Sequence, residues 1–161
     1  MTVRIVLAAF LAGLVGLVVG IGYEFVKEEK RLDKVENKYN KFESFYKLLI
    51  TWVEMKQEGK NIVEYLEYNN IKTIAIYGMK ELGECLVKEL ENSSIEIKYV
   101  IDQNIGRIET KYPKFTPEDD LMPVDAIIVT AIYYYQEIEE HLSTKIDCEI
   151  ISLEDAVYGL I

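Results

Sequence analysis

The spacing of hydrophobic and polar positions changes twice along the chain, and the changes divide it into three segments. Residues 5–22 are continuously apolar, residues 24–58 carry apolar side chains with a period of seven, and residues 59–161 alternate short apolar runs with amphipathic stretches. We therefore predict a transmembrane anchor over residues 1–23, a helical stalk over residues 24–58 and a globular domain over residues 59–161.

The first segment has the length and composition of a membrane-spanning helix. From Ile5 to Gly22 there are 18 residues without a charged side chain. At about 1.5 Å per residue this stretch nearly matches a bilayer core of about 30 Å. A cleaved signal peptide is the rival interpretation, because Gly20 and Gly22 could supply small residues for cleavage. The apolar core of a signal peptide is usually about 7–15 residues long, so the length favours an uncleaved anchor.

Basic residues flank the predicted anchor unequally. Only Arg4 precedes it, whereas six Lys or Arg side chains follow it within residues 27–41. Lys and Arg accumulate on the cytoplasmic side of membrane spans. We therefore expect a single-pass membrane protein whose C-terminal domain lies in the cytoplasm.

The second segment carries a heptad repeat of apolar side chains. The first row recurs every seven residues and consists of Phe25, Leu32, Tyr39, Tyr46 and Val53. The second row consists of Val35, Phe42 and Leu49, with Glu28 and Lys56 interrupting it at its ends. In the anchor, small residues recur at every fourth position, namely Ala8, Ala12, Gly16 and Gly20. Together these patterns predict a parallel homodimer.

An alternative partner for the heptad stripe is the domain of the same chain. Aromatic side chains suit a coiled-coil seam poorly, and the stripe contains several of them. From Phe45 onward the stripe also widens, through Ile50 and Trp52. The alternative therefore predicts that the stripe packs on the chain's own domain, above all over this last part.

The third segment alternates predicted helices and strands. Asn61 begins a helix that ends near Asn69, and Glu64 completes a capping box. Strands are predicted over residues 71–77, 95–101, 125–130 and 148–152, and helices over residues 80–90, 132–142 and 153–160. The polar stretch 103–122 is predicted to be a loop with one short strand and a turn of helix from Thr116 to Asp119. This order predicts a small Rossmann-like α/β domain with a parallel sheet and right-handed crossovers.

Composition and charge narrow the classes of partner. Half of the 161 residues are hydrophobic and only three are Pro, which excludes a disordered chain. The formal net charge is −10, and because the first 47 residues are slightly basic, residues 48–161 carry a formal net charge of −12. An acidic domain repels phosphate backbones, so we expect no nucleic acid as partner.

The junction after the first predicted strand contains part of a dinucleotide-binding fingerprint. Residues 78–83 (GMKELG) lie between strand and helix, and Asp102 ends the next strand 19 residues after Gly83. In the fingerprint the glycines permit a tight turn, the approach of a pyrophosphate and close helix packing, and the acid binds a ribose hydroxyl. Gly78 and Gly83 match the first and third glycines. Lys80 replaces the second, where it would crowd a pyrophosphate or attract a single phosphate as a point charge. Alternatively, the two glycines only shape the turn.

These motifs resemble the Rossmann-like domains of bacterial surface-polysaccharide biosynthesis proteins, which occur in membrane-bound nucleotide-sugar dehydratases and in sugar acetyltransferases. The resemblance rests on IAIYGMKELGECLVKEL, IKYVID and VDAIIVTA, and covers roughly residues 60–161. It implies a site for a nucleotide or nucleotide sugar, with NAD(P) or a nucleotide sugar as the ligands to consider. The residues predicted to form this site are Gly78, Met79, Lys80, Gly83, Asp102, Thr130 and Ala131.

The sequence contains no recognisable catalytic pair. Epimerases and dehydrogenases of this fold need a Tyr with a Lys four residues later, but residues 133–135 (YYY) are followed at that spacing by Glu137, Ile138 and Glu139. An acid at this position raises the pKa of a phenol instead of lowering it. We expect these tyrosines to cap the sheet edge or to line a crevice.

Other potentially reactive side chains are predicted to have no chemical role. We expect His141 to face solvent, Cys85 and Cys148 to be buried free thiols, and the acidic run 118–120 to form a solvated face. The sequence thus predicts a membrane-anchored binding module, regulatory or accessory in cell-surface polysaccharide biosynthesis. A scaffold that binds no ligand is the alternative, and an epimerase-like or dehydratase-like enzyme is the less favoured one.

Overall fold

The computed structural model describes the backbone of residues 2–160. It describes the exposure and contacts of individual residues for Gly16, Gly20 and residues 22–160. One long helix precedes an alternation of strands and helices. The elements are α1 (Thr2–Gln57), α2 (Ile62–Tyr68), β1 (Thr73–Tyr77), α3 (Glu81–Leu90), β2 (Glu96–Ile101), β3 (Lys114–Phe115), β4 (Ala126–Val129), α4 (Tyr135–Leu142), β5 (Glu149–Ser152) and α5 (Leu153–Tyr158). Two short 3-10 turns lie at Ile105–Arg107 and Ile132–Tyr134.

All five strands form one parallel sheet in the order β3-β2-β1-β4-β5. β1 is the middle strand, β2 and β4 lie on either side of it, and residues 126–129 of β4 are buried throughout. This burial explains the continuous apolar run of β4, because a central parallel strand is covered on both faces. The predicted Rossmann-like α/β fold with a parallel sheet is confirmed at this level.

The two faces of the sheet carry separate cores. Side chains of Ile74 and Ile76 in β1 pack with α2, α3 and α5, and with the last turns of α1. Ala75 and Tyr77 point to the opposite face, where Ile138 of α4 packs. The alternation along β1 therefore places helices on both sides, as in a doubly wound sheet.

The loop between β2 and β4 differs from the prediction. The short strand expected there is β3. Where a turn of helix was expected, Thr116 to Asp119 form a single turn that does not continue into a helix, and the N–H of Asp119 donates to the carbonyl of Thr116 at 3.2 Å. The Asp119 carboxylate accepts the backbone N–H of Thr116 at 2.6 Å and its hydroxyl at 2.8 Å, which fixes this turn. The 3-10 turn at Ile105–Arg107 was not predicted.

The capping box at the start of α2 is present in a modified form. The side-chain oxygen of Asn61 accepts the N–H of Glu64 at 3.2 Å, as predicted. The Glu64 carboxylate accepts from the Asn61 side-chain amide at 2.7 Å instead of reaching the backbone. The helix start is therefore satisfied by a reciprocal pair of side chains.

The end of α1 belongs to the compact α/β body, which begins at Ser44. Leu48, Trp52 and Met55 are buried in its core. Glu89 of α3 fixes this packing, because its carboxylate accepts from the Trp52 indole N–H at 2.7 Å and from the backbone N–H of Ile62 at 2.8 Å. One carboxylate thus joins α1, α2 and α3.

Within the part of the chain whose side chains are described, no helix is apolar over enough of its length to cross a membrane. Of the predicted anchor at residues 5–22, the structure describes only Gly16, Gly20 and Gly22 beyond the backbone, so its apolar side chains lie outside the described residues. The anchor therefore stays a prediction.

The two cysteines are free thiols, but their predicted burial is wrong for Cys85 and only partly met by Cys148. Cys85 is exposed and Cys148 is half-buried. The buried stripe of α3 runs through Leu82, Leu86 and Leu90, and Cys85 lies at its edge.

Candidate functional site

The turn that follows β1 is held between its two neighbouring strands. Gly78 donates its backbone N–H to the carbonyl of Ile101 in β2 at 2.8 Å, and its own carbonyl accepts the hydroxyl of Thr130 at 2.6 Å. The φ angle of Gly78 is +92°, in the region that favours glycine. A Cβ at this position would also lie 2.8 Å from the Thr130 hydroxyl oxygen. Both the backbone conformation and the space require a glycine here.

Gly83 allows α3 to pack directly on this turn. A Cβ at Gly83 would overlap the carbonyl group of Gly78. The first and third glycines of the motif therefore have the packing roles that the fingerprint gives them. They bring the beginning of α3 to the carboxyl end of the sheet, where the strand order reverses between β1 and β4.

Asp102, at the end of β2, is bonded to the backbone of the same corner. Its side chain is nearly buried, with 9% exposure. One carboxylate oxygen accepts the N–H of Met79 at 3.0 Å, and the other accepts the N–H of Asn104 at 2.8 Å. Asp102 thus ties the β1–α3 turn to the end of β2. Each oxygen retains one further acceptor position.

Lys80 and Met79 have different environments. Lys80 is exposed and occupies the N-cap position of α3 in an extended conformation. A lysine side chain has no acceptor atom, so it cannot cap the N–H groups of the first helical turn. By contrast, Asn61 and Ser152 cap α2 and α5 with side-chain oxygens. Met79 is buried and packs in the core beside Gly83.

Thr130 and Ala131 form the β4 side of the crevice. Thr130 is buried, and its N–H donates to the carbonyl of Tyr77 at 2.9 Å. Ala131 is half-buried beside Gly78. The structure therefore brings all seven predicted site residues to one corner of the sheet, although the hydroxyl of Thr130 and the carboxylate of Asp102 already bind the chain itself.

Tyr77 also belongs to this corner, although it was not among the predicted site residues. It is the last residue of β1 and is nearly buried. Burial raises the pKa of the Tyr77 phenol, a hydrogen bond from Gln103 acts in the opposite direction, and the Asp102 carboxylate adds to the rise. Its position directly before Gly78 is the only signal in the sequence that could have pointed to it.

The three consecutive tyrosines follow β4 along the chain, and the last of them contacts β5. The hydroxyl of Tyr135 lies 2.7 Å from a carboxylate oxygen of Glu139 and 2.8 Å from the carbonyl of Ile150. Burial and the hydrogen bond to Glu139 raise the pKa of Tyr135, the direction predicted from the acid four residues later. Tyr133 and Tyr134 are partly exposed and pack edge to face.

The acidic run before β4 is engaged with basic side chains. Glu118 contacts Lys145 at 2.9 Å and His141 at 3.3 Å, and these contacts lower the pKa of Glu118, with the Lys145 hydrogen bond as the largest cause. His141 is exposed, as predicted. In the part of the chain with described side chains, no three His, Cys, Asp or Glu residues are grouped to hold a metal ion.

The fold and this corner define a Rossmann-like α/β protein with its crevice at the reversal of strand order. No protein-family model, curated protein or solved structure matches the chain. The resemblance to surface-polysaccharide biosynthesis domains therefore stays a prediction.

Proposed function

We propose that the α/β body binds the phosphate group of a nucleotide or nucleotide sugar in the crevice between β1 and β4. The observation that carries this proposal is the start of α3, which lies at the reversal of strand order without a side-chain cap. The first N–H groups of such a helix point outward and bind anions, and the helix dipole favours negative charge there. Gly78 and Gly83 allow the beginning of α3 to pack closely against the turn after β1.

Lys80 gives the site its positive charge. It is exposed beside the first turn of α3, where its ammonium group can reach a phosphate. Glu81 and Glu84 in the same turn compete with an anion for the helix dipole. Lys80 also replaces the glycine that lets a bridging pyrophosphate lie against the backbone, so a terminal phosphate, as in a simple nucleotide such as UDP, suits this corner better than the bridging pyrophosphate of NAD(P) or of a UDP-sugar.

The wider role that we propose is that of a membrane-anchored accessory or regulatory module in cell-surface polysaccharide biosynthesis. The resemblance of the motifs supports this role, and the apolar run at residues 5–22 supports the anchor. The six basic residues that follow the run favour a body on the cytoplasmic side, where nucleotide sugars are available to it.

A scaffold that binds no ligand is the second candidate function. Two observations favour it: the Asp102 carboxylate is already bonded to the Met79 and Asn104 backbone, and Met79 fills the space beside Gly83. In this alternative the same contacts hold a rigid surface for a protein partner.

Calorimetric titration of the full chain with UDP, a UDP-sugar, ADP and NAD distinguishes the two functions. For a ligand-binding module we expect saturable binding of at least one nucleotide, weakened about tenfold or more by Lys80→Glu because an attractive charge becomes a repulsive one. Lys88→Glu is the matched control, since it makes the same charge change in the last turn of the same helix. Absence of binding by all four compounds at millimolar concentration, or equal effects of the two variants, would contradict the proposal.

A further inference from the structure

The heptad stripe on α1 is exposed along its whole length. Its eight apolar side chains are between 42% and 77% exposed, with Leu49 the least and Phe42 the most accessible. The positions on the opposite side of the helix are mostly Lys, Asp, Asn and Ser. We infer that this stripe is the seam of a parallel, in-register, two-stranded coiled coil between two copies of this chain, over residues 25–53.

Within the α/β body, which begins at Ser44, the last part of the stripe is left uncovered. Where α1 packs on the body, Leu48, Trp52 and Met55 are the buried side chains. Tyr46 and Val53 lie in the same turns of the helix and are 61% and 51% exposed. Over residues 44–57 the body therefore contacts a neighbouring face of α1 and leaves the heptad positions Tyr46 and Val53 available to another helix.

Charges beside the stripe identify a second copy as the partner. The flank that precedes the first apolar row carries Arg31 and Lys38, and the flank that follows the second row carries Glu29, Glu36 and Glu43. In a parallel dimer each basic flank faces the acidic flank of the other helix, so that Arg31 meets Glu36 and Lys38 meets Glu43. The sequence of one chain is thus complementary to itself.

The same separation of charge selects the parallel orientation. In an antiparallel dimer, like flanks face each other, which would place basic residues opposite basic residues and acids opposite acids. Glu24 is the exception on the basic flank, where it faces Glu29 of the other helix. This single repulsive pair lies at the N-terminal end of the seam, whereas the two attractive pairs lie at its centre.

Disulfide trapping of the full chain in detergent micelles tests the geometry. In a Cys85→Ser, Cys148→Ser background, single cysteines replace Leu32 or Tyr46, both in the first apolar row. We expect both to form intermolecular disulfides on oxidation, because a disulfide needs Cα atoms within about 7 Å. An antiparallel pair can bring only residues near its centre together, so trapping at both positions requires a parallel register. Lys34→Cys, on the outer face, is the control and should form no intermolecular disulfide.

Charge exchange tests the partner and the register together. One variant carries Arg31→Glu and Lys38→Glu, and the other carries Glu36→Lys and Glu43→Lys. Each variant alone places like charges on both flanks, and we expect its dimer dissociation constant to rise about tenfold or more. An equimolar mixture should restore association as a heterodimer, measured by sedimentation at low ionic strength.

Three results would overturn the inference: a monomeric mass for the wild-type chain in micelles, absence of disulfides at Leu32 and Tyr46, or mixed charge variants that associate no better than each alone. A seam occupied by a different protein, or by the chain's own body, would give the first two results. None of these measurements depends on a nucleotide, so the inference and the proposed function can fail separately.

Discussion

Substitution of Glu89 tests how the last turns of α1 pack within the α/β body. Its side chain is only 7% exposed, and its two oxygens accept the indole N–H of Trp52 and the backbone N–H of Ile62. Lys56 lies 3.3 Å from the same carboxylate but is itself 47% exposed. Glu89→Gln keeps the size of the side chain and replaces one acceptor oxygen with an NH₂ group. One of the two buried donors then loses its acceptor and meets another donor.

The expected loss follows from these contacts. A hydrogen bond to a charged group contributes about 1.5–3 kcal/mol, and a buried donor left without a partner costs about 1–3 kcal/mol. The exposed Lys56 ammonium adds little, because surface ion pairs contribute at most about 1 kcal/mol. We therefore expect Glu89→Gln to lower the free energy of unfolding by about 2 kcal/mol, and Glu89→Ala to lower it by about 3 kcal/mol or more.

Urea unfolding followed by tryptophan fluorescence is the appropriate assay. Trp52 is the only tryptophan of the chain, so its emission reports directly on this contact. Glu91→Gln is the matched control, because Glu91 is exposed and pairs only at the surface with Lys111. We expect the control to change stability by less than about 0.5 kcal/mol.

A double-mutant cycle with Trp52→Phe separates the hydrogen bond from packing. Trp52→Phe removes the indole N–H, so the cycle is followed by circular dichroism instead of fluorescence. We expect Trp52 and Glu89 to be coupled by about 1–2 kcal/mol. A Glu89→Gln variant as stable as the wild type, or additive effects of the two substitutions, would refute this account of the joint.

Three further predictions concern the crevice and the sheet. Gly83→Ala should destabilise the chain by about 1–3 kcal/mol in a urea titration, because its Cβ would overlap the Gly78 carbonyl. Gly106→Ala is the control: a Cβ there meets open space, so stability should change by less than about 0.5 kcal/mol. Asp102→Asn should lower the free energy of unfolding by about 1–3 kcal/mol, because one of the two backbone N–H groups bonded to the carboxylate loses its acceptor. Asp120→Asn, at an exposed position, is the control, and equal stability of the two variants would show that these bonds are unimportant. Hydrogen bonds from the backbone N–H groups of Lys72 and Thr73 lower the pKa of Asp125. The ionised carboxylate therefore stabilises the fold at pH values above its unfolded pKa of about 3.9, and this stabilisation is lost as the pH falls through the lower folded pKa. The stability difference between wild type and Asp125→Asn should therefore shrink below about pH 4, and a difference independent of pH would contradict the assignment.

Most of the fold could be predicted because its inner strands β1 and β4 are buried on both faces. Runs such as residues 71–77 and 125–130 are rich in β-branched residues and are bounded by turn residues, and the observed β1 and β4 lie inside them. The loop between β2 and β4 was predicted less well. Its turn at Thr116 is fixed by two hydrogen bonds that the backbone N–H and the hydroxyl of Thr116 donate to the Asp119 carboxylate, and such local contacts leave no periodic pattern in the sequence.

The location of the candidate site could also be predicted, but the state of its side chains could not. Gly78 and Gly83 identify the turn from spacing alone, because their roles are those of the backbone. The Asp102 carboxylate accepts the N–H of Met79 because of where β2 ends relative to β1. The spacing of residues in the sequence does not give this alignment of the two strands. Glu89 was missed for the same reason. It is one of three acids on α3, and only the tertiary structure shows that it faces Trp52.

The two faces of α1 connect the stability of the body to the proposed dimer. Between Ser44 and Gln57, Leu48 and Trp52 are buried in the body, while Tyr46 and Val53 lie on the exposed stripe of the same turns. Packing on the body orders this part of the helix before a second copy binds, which removes a backbone entropy cost of about 1–2 kcal/mol per residue from association. Linkage then requires the reverse effect, in which dimerisation stabilises the body by mass action. Glu89→Gln should therefore weaken the dimer although Glu89 lies outside the stripe, and the unfolding midpoint of the wild-type chain should rise with its concentration.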